Sequence, residues 1–267
     1  MDVTHSRSGA ASAVVSTVLV LIVGAAAAAA AVNASAVPRE ANETTIVEPP
    51  PGVPLGVPGS TSATDEVHAS SAPMRPRAST AWVASVSAAT GIGSVALRAY
   101  AAATLTVDAE DPSCRLGWTT IAAIGWIESG HGTHGGARLL NDGRTDLPIL
   151  GPALDGRDGF AAIPATPDST AWHGDPVWDH AVGPLQFLPS TWRRWGADGD
   201  GDGAADPNDV DDAALAAGRY LCASGADLTL AAGWRDAVFS YNHSDQYVTE
   251  VRGAANRYAE SASAAAS

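Results

Sequence analysis

The stretch from Leu116 to Gly132 reads Leu-Gly-Trp-Thr-Thr-Ile-Ala-Ala-Ile-Gly-Trp-Ile-Glu-Ser-Gly-His-Gly, and it constrains the fold more than any other. Ile121, Ile124, Gly125 and Glu128 fall at i, i+3, i+4 and i+7, one face of an α-helix. A carboxylate therefore lies on the stripe that faces the core. Desolvation disfavours its anion, and so does the negative end of the helix macrodipole near the predicted stop at Gly130. A carboxyl that keeps its proton at the edge of a core is what a general acid requires. The alternative at this point is a glutamate that snorkels from the helix end to water.

The start of the chain places the rest of it. Ala10 to Val32 is almost wholly apolar and long enough to span a bilayer, with Arg7 before it and Ala34-Ser35-Ala36 after it. Residues 1–36 are expected to be a cleaved signal peptide or a retained membrane anchor, and either exports the remainder. Residues 37–80, rich in Pro, Ala, Ser and Thr, have no periodic apolar face and are expected to be a disordered linker. The formal net charge of −14, with no lysine among the basic residues, argues against a nucleic-acid partner. Outside the cytosol the two cysteines, Cys114 and Cys222, are read by default as a disulfide, the alternative being two buried thiols.

Residues 81–259 are of a size for one domain, followed by an Ala/Ser-rich tail, 260–267, expected to fray. Partial apolar spacing predicts helices over Ser94–Leu105, Pro189–Trp195 (Ser190 as N-cap), Val210–Cys222, Trp234–Tyr241 and from Ser244 or Asp245 to about Tyr258. Arg138 to Val182 carries Gly, Pro and Asp with little periodicity and reads as a long irregular lobe. Within it Trp172 and Trp178 are either sugar-stacking platforms or ordinary half-buried rings. Few alternating runs occur, so the class is mainly α.

Three constellations carry chemistry. Asp198, Asp200 and Asp202 with Gly203 match positions 1, 3, 5 and 6 of an EF-hand-type calcium loop, with Ala204, Asp206 and Asp209 at positions 7, 9 and 12. The expectation is a structural Ca²⁺ and no cofactor for catalysis; the competing reading is a solvated turn in which Asp209 caps the next helix. His131 and His134 lack the intervening glutamate of a zinc-protease helix, so His131 is read as a hydrogen-bonding neighbour of Glu128. Gln186, amid apolar residues beside Gly183-Pro184, and Tyr241-Asn242 at a helix end are weak signals singly, because buried amides are often merely satisfied.

In combination they are specific. Glu128-Ser129 at a helix end, then Gly183-Pro184-Leu185-Gln186-Phe187 running into Pro-Ser-Thr-Trp and an Asp/Gly loop, then Tyr241-Asn242, resembles the lytic murein transglycosylases, most closely the MltB-like branch in its actinobacterial form. Gly93 and Leu185 depart from the usual Pro and Met, and the 138–182 lobe resembles the family only at its ends. The resemblance implies a goose-type, lysozyme-like α fold acting on peptidoglycan glycan strands, with Glu128 as the single catalytic acid and base. It further implies that Ser129, His131, Gln186, Phe187, Tyr241 and Asn242 surround the sugar, and that the protein is an exported monomer at the cell surface. A hydrolytic muramidase would need a second carboxylate, for which Asp142, Asp146, Asp175 and Asp179 are candidates. A wall-binding domain without catalysis is the third possibility.

Overall fold

The computed structural model describes residues 76–157 and 160–265. The apolar segment 1–36 and most of the 37–80 linker lie outside the described residues. Among the described residues no single helix is long and apolar enough to cross a membrane.

Among the described residues eight α-helices form the domain: α1 Thr80–Thr90, α2 Ser94–Glu110, α3 Trp118–Ser129, α4 Pro167–His173, α5 Pro189–Trp195, α6 Val210–Cys222, α7 Ala231–Tyr241 and α8 Asp245–Ala265. Among the described residues extended backbone pairs only through isolated bridges, so the mainly α class is found. α3 is apolar on every side: Trp118 to Gly125 are all buried, as expected of a helix that must run through a core. α2 and α8 pack along it, and α6 packs along α2. Gly130, left-handed at φ 59°, ends α3 by donating its N–H to Trp126.

Close packing depends on missing side chains at several glycines, Gly125 and Gly183 among them. Gly125 has no Cβ because the Tyr100 hydroxyl and ring occupy that space. Gly183, at φ 80°, lies against the Pro207 carbonyl, and a side chain there would overlap backbone. Cys114 and Cys222 form a disulfide that joins the approach to α3 to the end of α6 across 108 residues, a closure worth about 4–5 kcal/mol in the chain-entropy model.

Several expectations are corrected. The folded part begins before residue 81: Ala78 is buried and Ser79 caps α1, a helix that the weak periodicity of Thr80–Thr90 does not announce. α8 continues through 260–265 with Ala259 and Ala262 buried, so those residues of the tail are helical where they pack on the core. Ser190 is exposed and does not cap α5. Leu188 is the N-cap, because Pro189 lacks an N–H and fits the first helical position. The 138–182 lobe is more ordered than its composition suggests. It holds α4, and short extended pieces pair side by side through Gly151 N–H to Ala181 O and Leu154 N–H to Asp179 O, each 2.9 Å.

Gly125→Ala should destabilise the domain by about 1–3 kcal/mol. Overpacking and a displaced Tyr100 outweigh the roughly 1 kcal/mol gained in helix propensity. Equilibrium denaturant unfolding beside wild type measures the difference.

Candidate active site

The end of α3 meets the start of α8 and the end of α7 around Glu128. Its Oε1 accepts a 2.6 Å hydrogen bond from the Tyr247 hydroxyl. Burial pushes the carboxyl up to about 7, against the opposing pull of that hydrogen bond. The side chain stays partly open to a groove lined by Glu128, Gln186, Phe187, Leu188, Thr191, Tyr220, Tyr241 and Asn242. A carboxyl with this affinity can both give and take a proton near neutrality.

The polar groups around the groove differ in what they have left to offer. The Tyr241 hydroxyl donates to Leu185 O at 2.8 Å and the Tyr220 hydroxyl to Ser240 O at 2.6 Å. Their faces line the wall, with Tyr241 edge-on to Phe187 and to Tyr220. Phe187 is buried between Tyr241 and Trp192. Gln186 takes a left-handed backbone, φ 49°, and its Nε2 donates to Ile149 O and Gly183 O. Asn242 is buried at the end of α7, and its Oδ1 has no partner among the described residues. An unpaired buried acceptor beside Glu128 costs free energy that a ligand N–H or O–H would recover.

Two expected site residues serve the fold instead. Ser129 is buried, donates to Pro184 O at 2.6 Å and accepts the Gly132 N–H at 2.7 Å, so its hydroxyl ties the end of α3 to the Gly183-Pro184 turn. His131 does not bond Glu128: its ring nitrogens meet Tyr100 Oη at 3.1 Å and Tyr258 Oη at 2.8 Å. Burial holds this imidazole down at about 4, hence neutral. With both nitrogens engaged it offers nothing to a metal, and His134 is exposed. Tyr247, Leu188, Thr191 and Tyr220 were not among the residues the sequence singled out for the site. Leu188 and Thr191 stand inside the Gln186 to Trp192 stretch, and the signal of Tyr247 and Tyr220 was only an aromatic ring on a helix.

The carboxylates that could have served a hydrolase are elsewhere. Asp146 binds Arg138, Asp175 binds His180, Asp179 is buried with Ser169 and His173, and Asp142 accepts the Arg144 N–H. Glu128 is the sole carboxylate among the described residues lining the groove. Trp172 and Trp178 are half-buried and do not line it; Trp172 packs on the core.

The acidic loop departs from the expected pattern. Asp198, Asp200 and Asp212 bring carboxylate oxygens within 4.8 Å of one another. Asp209 instead caps α6, accepting the Asp211 N–H at 2.8 Å, which withdraws it from position 12. Asp202 pairs with Arg144 and accepts the Ala204 N–H, and Asp206 accepts from Asn208 and lies 4.0 Å from Arg144. Asp212 is buried, accepts the Gly199 and Asp206 N–H groups, and is pushed up to about 6 by burial.

The raised affinity of Glu128 links stability to pH. The folded carboxyl titrates near 7 against 4.5 unfolded, so its contribution is full below 4.5 and lost as pH rises through 7. Glu128→Gln escapes that loss. Its midpoint temperature relative to wild type should rise between pH 5 and pH 8, as calorimetry at the two pH values would show.

No curated protein matches the chain significantly. Residues 170–235 match the family model described as the transglycosylase SLT domain, which spans Gln186, Phe187, Thr191, the acidic loop and Tyr220 but not Glu128 or Asn242, and this match supports the lytic transglycosylase/SLT superfamily.

Proposed function

We propose that this protein is a lytic murein transglycosylase, MltB-like in its actinobacterial form, that cleaves the β-1,4 bond between N-acetylmuramic acid and N-acetylglucosamine without water. The observation that carries the reading is a groove lined by one carboxyl, Glu128, whose proton affinity lies near neutrality. Most glycosidases need two carboxyl groups; a transglycosylase needs one. Protonated Glu128 gives its proton to the glycosidic oxygen as the bond to the muramyl C1 breaks, and the N-acetylglucosamine leaves as an alcohol. Ionised Glu128 then takes the proton of the muramyl C6 hydroxyl while that oxygen closes on C1. The product is a 1,6-anhydromuramyl end, and Glu128 returns to its starting state.

The remaining groups bind and orient. Asn242 and Gln186 contact the sugar's polar groups, and Tyr241 and Phe187 form an apolar wall on which the ring lies. Tyr247 holds the Glu128 carboxyl in place through its hydroxyl. The substrate is a polymer of the cell wall, so the protein acts as an exported monomer outside the cytoplasmic membrane, in contact with it through residues 1–36 if at all. The peptidoglycan-directed character of the matched domain supports that location.

Mass spectrometry of soluble fragments from purified peptidoglycan tests the reaction. Wild type should release anhydromuropeptides and Glu128→Gln none. Reducing-end products from wild type would replace this reading with a muramidase, and sugar binding without release would replace it with a wall-binding domain.

A structural Ca²⁺ belongs to the same proposal. Asp198, Asp200 and Asp212 fit a hard cation because three carboxylates already converge in a loop of backbone turns. The ion would brace the loop between α5 and α6 and supply no acid–base chemistry. Millimolar Ca²⁺ should raise the thermal midpoint of chelator-treated protein by several degrees, and Asp200→Asn should abolish that rise; equal midpoints with and without Ca²⁺ would remove the ion from the proposal.

A further inference from the structure

The 138–182 lobe has no described residue among those lining the Glu128 groove, yet it meets the groove at one side chain, Gln186. Both amide hydrogens of Gln186 are directed to backbone: Nε2 lies 3.2 Å from Ile149 O, in the lobe, and 2.9 Å from Gly183 O. Oε1 has no hydrogen bond among the described residues and rests against Gly151. A Cβ added at Gly151 would stand 2.9 Å from that oxygen and 3.2 Å from the Ala181 Cβ. The backbone of Gly151 is not left-handed, so a side chain there would act through space and not through conformation, by pushing on the Gln186 amide.

Gly151 is itself gripped from both sides. Its N–H donates to Ala181 O at 2.9 Å, and its carbonyl receives His180 Nδ1 at 2.8 Å. The other nitrogen of His180, Nε2, lies 3.1 Å from Asp175 Oδ2, so both ring nitrogens face acceptors. The His180 ring leans on His173, centroids 5.1 Å apart, and His173 is buried and bonded to Asp179. With its Nδ1–H directed at the Gly151 carbonyl and its ring resting on a buried support, the imidazole fixes the carbonyl it holds.

We infer that His180 and Gly151 are positioning residues for Gln186: the imidazole holds the Gly151 carbonyl, and the bare Cα of Gly151 leaves the space in which the Gln186 amide settles with both donors turned to backbone. The lobe thereby holds a groove-lining side chain in a single orientation. This rests on the transglycosylase reading for its functional consequence but not for its geometry.

Three variants test it: Gly151→Ala, which crowds Oε1; His180→Leu, which removes the clamp; and His180→Asn, whose amide nitrogen can occupy the place of Nδ1. The Gln186 side-chain amide signals in nitrogen-15 NMR spectra, identified by their loss in Gln186→Glu, should shift in Gly151→Ala and His180→Leu and remain in place in His180→Asn. Turnover on peptidoglycan should follow, falling about ten- to a hundredfold for the first two under conditions where each variant remains folded, with His180→Asn near wild type. Unmoved Gln186 signals in Gly151→Ala and His180→Leu overturn the proposal whatever the activity, and so does a His180→Asn spectrum like that of His180→Leu. If wild type cleaves no peptidoglycan, the functional reading fails while the NMR result still decides the positioning role.

Discussion

A helix that is apolar all round has to be surrounded, and the enclosure of α3 is the constraint from which the other features of this domain follow. Trp118 to Gly125 are buried on every face, so α2 and α8 are drawn onto it. Whatever polar group stands at its end is then fixed at the boundary between core and solvent. Glu128 is that group. Its carboxyl is desolvated by the same packing that stabilises the domain, and the one hydrogen bond it accepts from Tyr247 is too little to restore the ordinary carboxylate range. Stability and proton affinity therefore have one cause.

The residues around the end of α3 divide by whether their hydrogen bonds are closed within the fold. Ser129 and His131 are closed: one ties α3 to the Gly183-Pro184 turn, and the other joins Tyr100 to Tyr258 beneath it. Asn242 Oδ1 is buried without a partner among the described residues, and Asn242 lines the groove. Buried polar groups are almost always satisfied, so this one sets Asn242 apart from Ser129 and His131. A sequence motif does not make this distinction, because Ser129 and Asn242 stand equally close to the groove in the linear pattern.

The lobe shows the same division at larger scale. Its Gly, Pro and Asp content reads as irregular, and helices with long side-chain stripes are indeed few. Order comes instead from pairings between distant backbone segments and from buried polar contacts such as Ser169 with Asp179 and His173 with Asp179. Non-local pairing leaves no periodic trace. The acidic loop is similar: Asp198 and Asp200 follow from local spacing, whereas Asp212 joins them from inside α6 because Asp209 is taken up as a cap.

The sequence by itself determined the mainly α class, a helix with an apolar face and a carboxyl at its end, the one possible cysteine pair and the order of the motifs that meet at the groove. Each of these is written in local spacing or in composition, and helical periodicity makes local spacing legible. Tertiary structure alone decided that Tyr247 holds Glu128, that Ser129 and His131 face inward, that Asp212 replaces Asp209, and that Gly151 bounds Gln186. These pairs lie far apart in the chain or on opposite helix faces, and which donor meets which acceptor depends on how packed helices are rotated and offset, information that no single segment contains.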